Sequence, residues 1–174
     1  FRFRHPWLQL NLLTAFVAGA VVSVFQGVID SIVLLAVFLP VLAGQCGNTG
    51  AQALAVTVRG MTLNEVKPGM AWKLMAKEAW LGLLNGALTG IVAATAMFGL
   101  AVAQGENAPI TLALITLAAM TFSCMVSGIA GSGIPLVLAR LGADPATASS
   151  IFLSTATDVF SMGVFLGLAG WLLL

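Results

Sequence analysis

Charge is what this chain has least of. Asp, Glu, Lys and Arg together make up 7% of its 174 residues, against 60% hydrophobic residues, and the mean hydropathy is +1.06. A water-soluble domain carries about 25% charged residues, so a solvated surface on every side is excluded. Histidine occurs once, at His5, and cysteine twice, at Cys46 and Cys124. Neither cysteine has a histidine beside it. A zinc or copper site therefore finds no support in the sequence, and both cysteines read as small buried packing residues. Nothing in the opening residues resembles a cleavable signal peptide. The start, Phe1-Arg2-Phe3-Arg4-His5-Pro6, lacks an initiator methionine and reads as cut from a longer chain. Nothing in the composition points to a nucleic-acid partner.

Long apolar runs take the place of charge. Five of them approach or exceed the roughly 20 residues needed to cross the hydrocarbon core of a bilayer. They run from Trp7 to about Gly27, Ile32 to Val58, Ala79 to Ala103, Ile110 to Ala139 and Ala146 to Trp171. The expected fold is all-α, a polytopic membrane protein of five transmembrane helices in one domain over residues 1–174, embedded in lipid. Gly19, Ser23 and Gly27 form one small-residue seam, and Gly82, Gly86 and Gly90 a stronger one that is a candidate for the contact between subunits. Asp30-Ser31 is expected to turn the chain, and Pro40, Gly44, Gly47 and Gly50 to interrupt the second span. A bend or tilt is expected near Pro135. Arg59 to Lys77, including Lys67-Pro68-Gly69, reads as a polar loop, with Trp72 and Trp80 as interfacial anchors.

Five spans leave the termini on opposite sides. Arg2, Arg4, Arg59, Lys67, Lys73, Lys77 and Arg140 all fall on the N-terminal side. The positive-inside rule then makes the N-terminus cytoplasmic and the C-terminus extracytoplasmic, in a cell membrane.

One carboxylate lies deep in these runs. Asp158 sits about a dozen residues into the fifth span, and an ionisable group there costs about 2.5–3.5 kcal/mol to insert, which marks a functional site. Ser150, Ser154, Asp158 and Ser161 share its helical face. On the second span Gln45, Asn48, Thr49 and Gln52 share another face, flanked by Gly44, Gly47 and Gly50. Both polar features lie some 15–18 Å from the cytoplasmic side at about 1.5 Å per residue, which favours a shared site. The plainer reading of the amides is that they bond neighbouring helices.

No Lys or Arg lies at the depth of Asp158, so this group must be protonated, face water or bind a cation. Carboxylate, amide, hydroxyl and carbonyl oxygens are hard ligands, suited to Mg²⁺, Ca²⁺ or Mn²⁺. Mg²⁺ keeps its waters and is often held through one or two carboxylates, so one Asp per subunit can suffice when two subunits meet. Ca²⁺ would want more carboxylates than the spans contain. Catalysis is excluded on similar grounds, since an aspartyl protease needs a second deep carboxylate and Ser154 and Ser161 have no base.

Several stretches together resemble the MgtE-type magnesium channels. Pro40-Val-Leu-Ala-Gly44-Gln-Cys-Gly47-Asn48-Thr-Gly50-Ala-Gln52 is similar to that family's Pro-x-x-x-Gly-x-x-Gly-Asn-x-Gly-x-Gln stretch. Lys77-Glu78 with Gly82 and Gly86, Leu141-Gly-x-Asp144-Pro145-Ala146, and Ser154-Thr155-x-x-Asp158 resemble its later motifs in the same order. The resemblance implies a homodimer with a pore between subunits, lined by the second and fifth spans and conducting Mg²⁺ inward. It implies that Asp158 recognises a largely hydrated Mg²⁺, helped by Asn48 and by backbone carbonyls at Gly47 and Ser154. Gly44, Gln45, Ala51, Gln52, Ser150, Thr155 and Ser161 would line the pore. Asp144 would bind a regulatory ion at the cytoplasmic mouth, and cytoplasmic sensor domains would precede Phe1. Cys46 departs from the family pattern by replacing a glycine, while Ala51 and Ser150 stand where relatives often place an amide. Two other readings compete: a proton- or cation-coupled divalent-metal carrier, and a membrane assembly subunit that transports nothing.

Overall fold

The computed structural model describes residues 2, 5–66 and 69–174, apart from the side chains of residues 146 and 147. Arg4, Lys67 and Pro68, to which the sequence assigns a cytoplasmic position, lie outside the described residues. Six helices follow in order: α1 (His5–Val24), α2 (Gln26–Ser31), α3 (Leu34–Thr62), α4 (Ala71–Gln104), α5 (Pro109–Arg140) and α6 (Pro145–Leu173). Five of them are long and apolar enough to cross a membrane; α2 is not. The five expected spans are all present.

Their boundaries move in places. Asp30 and Ser31 are helical, because Ile32 N–H bonds to Val28 O at 3.1 Å and Ser31 Oγ donates to Gly27 O at 2.8 Å. The chain turns only afterwards, at Ile32 and Val33. Pro40 and its glycines do not interrupt α3, which runs unbroken over 29 residues. A proline removes one helical N–H, and neighbouring helices make that loss tolerable within a membrane. The polar loop is also shorter than expected, since α3 extends to Thr62 and α4 begins at Ala71. Pro135 likewise lies inside the single helix α5.

The ends of α4 and α5 use glycine where only glycine is comfortable. Gly105 has φ 74° and Gly142 φ 76°, the left-handed conformation that closes a helix. Bonds from Glu106 N–H to Ala101 O at 2.9 Å and from Ala143 N–H to Leu138 O at 3.0 Å then satisfy terminal carbonyls.

Close contacts define how the helices run. Gly82, Gly86 and Gly90 lie against residues near Cys124, Met120 and Leu117, so α4 and α5 are antiparallel. A Cβ at Gly82 would collide with Cys124 O, and one at Gly128 with Glu78 O. The seam on α4 is therefore filled within the subunit by α5, and it is not free to join two subunits. Its spacing signalled close packing correctly and left the partner open. Cys46 meets Cys124, while Gly50 meets Ser127 and Gly131, so α3 runs parallel to α5. Asn11 meets Ser154 and Val21 meets Gly163, which makes α1 parallel to α6. That pattern is what five alternating spans require.

The core is built where α3, α4, α5 and α6 converge. Phe38, Leu42, Met97, Leu112, Ile115, Met120, Phe165 and Leu166 are buried there. α1 packs on α6 and α2, leaving Leu8, Leu12, Leu13 and Phe16 exposed. In lipid such a surface costs nothing, because acyl chains are as apolar as leucine.

Candidate functional site

α3 has two faces of opposite character. One is turned inward, with Cys46, Gly50, Ala53 and Thr57 buried. On the other, Val41, Gly44, Asn48, Ala51 and Ala55 are exposed, at the three- and four-residue spacing of a single stripe. A Cβ at Gly44 or Gly47 would meet nothing within 4 Å. Asn48 therefore stands at the centre of an open, small-residue strip of this chain.

Of the other predicted amides, Gln45 turns away from that strip and Gln52 is exposed at its edge. Gln45 lines an apolar cavity with Val37, Phe38, Thr89 and Met120. Gln52 and Thr49 line a smaller cavity shared with Lys77, Glu78, Asn85 and Gly128. A helical turn advances 100° per residue, so residues counted as one face in sequence divide between the open strip and the clefts toward α4. Asn48 is central to the strip, and the exposed Gln52 lies about 40° from it, at the strip's edge.

Asp158 is half-buried on α6. Among the described residues its carboxylate makes no hydrogen bond and no ion pair, the one ion pair being Lys77 Nζ to Glu78 Oε1 at 4.0 Å. Its backbone carbonyl accepts a bond from Ser161 Oγ at 3.3 Å. Ser161 itself is fully buried, at 0% exposure, so its side chain faces the core. Ser154 and Thr155 are half-buried and both donate to Ile151 O at 3.0 Å. Ser150 is exposed.

Packing sets the relative depth of these groups. Gly50 on α3 lies against Leu153 on α6, with 2.8 Å between an added Cβ and Leu153 Cδ1. The two helices are antiparallel, so each step up α6 matches a step back along α3. Asp158 is then level with Gln45, Thr155 with Asn48 and Ser154 with Thr49. Asp158, Ser154, Gly47 and Asn48 thus fall within about four helical rises, or 6 Å, along the axis. No hydrogen bond joins Asp158 to Asn48 among the described residues, and the helices carry them to one depth on separate walls.

One further feature was not evident in the sequence. Asn11 on α1 brings its Oδ1 within 3.4 Å of Ser154 Oγ, adding an amide beside Ser154 at the same level. A lone Asn in an apolar run was the only signal available. Asp144 precedes α6, and its backbone carbonyl accepts from Ala148 N–H at 3.3 Å, as the residue capping a helix start does. It lies 14 residues before Asp158, about 21 Å along the helix, and so belongs to the end of the bundle and not to its middle.

Residues 39–168, about three-quarters of the chain, match the family model MgtE, described as a divalent cation transporter. The chain is 31% identical over 166 residues to "Magnesium transporter MgtE" of Bacillus subtilis, covering 95% of this chain and 36% of that protein. It is 34% identical to the protein of that name from Enterococcus faecalis, over 95% of this chain and 35% of the relative. The one from Thermus thermophilus is 28% identical, over 98% and 36%. The chain spans about a third of the length of these relatives.

Proposed function

The chain belongs to the MgtE family of divalent cation transporters, and on that premise we propose that it forms a pore conducting Mg²⁺ across the membrane, with Asp158 as the group that selects the ion. The observation carrying this reading is the placement of Asp158. It is a deep carboxylate with no cationic partner among the described residues, level with the open glycine strip around Asn48. Its relatives are named magnesium transporters, and the donor types suit a hard cation that keeps most of its water.

In this reading two copies face one another, each contributing α3 and α6. The open strip of Gly44, Gly47, Asn48 and Ala51 gives room for a hydrated ion, and Asp158 neutralises part of its charge without stripping its shell. Carbonyls at Gly47 and Ser154 accept hydrogen bonds from the ion's waters. Gln52, Thr155 and Ser150 border the passage, and Ser161 stiffens α6 from the core side. The N-terminus is cytoplasmic, Mg²⁺ moves inward, and a membrane potential assists by about 2.3 kcal/mol per charge per 100 mV. Asp144, at the cytoplasmic mouth, binds a second Mg²⁺ that controls closure.

Mg²⁺ influx into liposomes bearing the chain, compared with Asp158→Asn at equal incorporation, tests this. The substitution keeps the shape and removes the charge. Flux by the wild type without a proton gradient, lost in the variant, is the expected result. Equal flux by both removes Asp158 from the selectivity role. Flux that needs a pH gradient favours a proton-coupled carrier.

A further inference from the structure

Beside the glycine crossing of α3 and α5, two thiols also meet. Cys46 and Cys124 are separated by 78 positions, are both at 0% exposure and hold their sulfurs 3.8 Å apart. They are free cysteines. Thr49 Oγ1 donates to Gln45 O at 3.0 Å and lies 3.6 Å from Cys124 Sγ. The hydroxyls of Ser123 and Ser127 lie near the Cys46 thiol. Ser127 Oγ is committed to Ser123 O at 2.8 Å. Ser123 Oγ is buried and has no hydrogen-bond partner among the described residues.

We propose that Cys46 and Cys124 form a chelating site for a thiophilic divalent ion of the Zn²⁺ or Cd²⁺ kind, with the hydroxyls of Ser123 and Thr49 as oxygen donors. Two Zn–S bonds of about 2.3 Å at a tetrahedral angle place their sulfurs about 3.8 Å apart. The observed separation accepts such an ion with no movement of the backbone. A disulfide needs about 2.05 Å. Among the described residues no group of three or more His, Cys, Asp and Glu side chains could hold an ion, so hydroxyls or water must complete the shell.

The chemistry balances in this setting. Binding breaks two S–H bonds, forms two metal–sulfur bonds and releases two protons. The product of a divalent ion and two thiolates is neutral, which an apolar interior tolerates far better than a charge. Hard Mg²⁺ does not compete for thiolate sulfur. Thr49 supplies a route, because it also lines the cavity of about 190 Å³ shared with Gln52, Lys77, Glu78 and Asn85. An ion entering and protons leaving would both pass that hydroxyl. Cys46 lies two residues, about 200° of helical turn, from Asn48. A metal held there would tie α3 to α5 from behind the open strip, whether or not the strip conducts Mg²⁺.

The test uses the purified chain in detergent, with Cd²⁺ alone as the probe. Wild type is expected to bind one Cd²⁺ per chain, show the ultraviolet charge-transfer absorption of Cd–thiolate bonds and release two protons into weak buffer. Excess Mg²⁺ should not remove the band. Cys46→Ala and Cys124→Ala should each abolish it. Absence of the band in folded wild type overturns the proposal, as does binding without proton release or a band that survives either substitution. The wild-type readings decide even where a variant folds poorly.

Discussion

A single methyl group separates the glycines that hold this bundle together from those that leave it open. At Gly131 an added Cβ would collide with Gly50 O and come within 3.0 Å of Ala53 Cβ. Backbone and a short side chain cannot rotate away, so α3 and α5 must part. Overpacking of this kind costs about 1–3 kcal/mol. Alanine recovers about 1 kcal/mol of helix propensity over glycine, leaving a net loss of up to roughly 2 kcal/mol. At Gly47 the same methyl meets nothing within 4 Å, so only the propensity term remains and stability should hold or rise slightly. The assay is reversible unfolding in mixed detergent, with the two variants beside wild type. Flux should fall in both for different reasons: Gly131→Ala displaces the helix, and Gly47→Ala narrows the strip. A Gly131→Ala protein as stable as wild type would refute the packing argument. A Gly47→Ala protein that loses stability would refute the claim that this face is open within the subunit.

Phe165 is fully buried in the core, and Phe165→Ala is expected to cost about 3–5 kcal/mol, read in the same unfolding assay. Gly86→Leu should disrupt the α4–α5 pair within one subunit, so loss of folded protein, and not simply dissociation of a folded dimer, is the expected outcome in size-exclusion chromatography. A topology reporter fused after Leu174 should report an extracytoplasmic position, and one fused before the first span a cytoplasmic one, if the basic residues set orientation. Asp144→Asn should leave maximal Mg²⁺ flux in place and weaken its inhibition by Mg²⁺ on the cytoplasmic side, measured as flux against internal Mg²⁺.

The five spans were legible because the penalty for charge in lipid acts on composition, run by run, without reference to tertiary structure. Asp158 was legible for the same reason, since one expensive residue in an otherwise apolar helix needs no partner to be noticed. Pairings were not. Gly82, Gly86 and Gly90 announce a close approach, but spacing on one helix says nothing about which helix fills the groove, and α5 does so with its own Gly128 beside Glu78. Gln45, Thr49 and Gln52 shared a face with Asn48 on paper because a helical face is a broad sector; packing of α4 then divides that sector between cleft and open strip.

The meeting of Cys46 and Cys124 lay further beyond reach. It requires α3 and α5 to run parallel and in one register, which follows only once α4 has crossed between them and the glycines at 50 and 131 have fixed the height. Register is the step that converts scattered residues into a site, and here small residues set it on both sides of α3. Gly50 against Leu153 brings Asp158 to the level of the open strip, while Gly50 against Gly131 brings the two sulfurs within 3.8 Å. A change at Gly50 should therefore disturb both places together. Gly50→Ala places a Cβ 2.8 Å from Leu153 Cδ1 and 3.3 Å from Ser127 O, so it should reduce Mg²⁺ flux and Cd²⁺ binding in the same protein. Loss of one with the other intact would show that the two sites do not share this register.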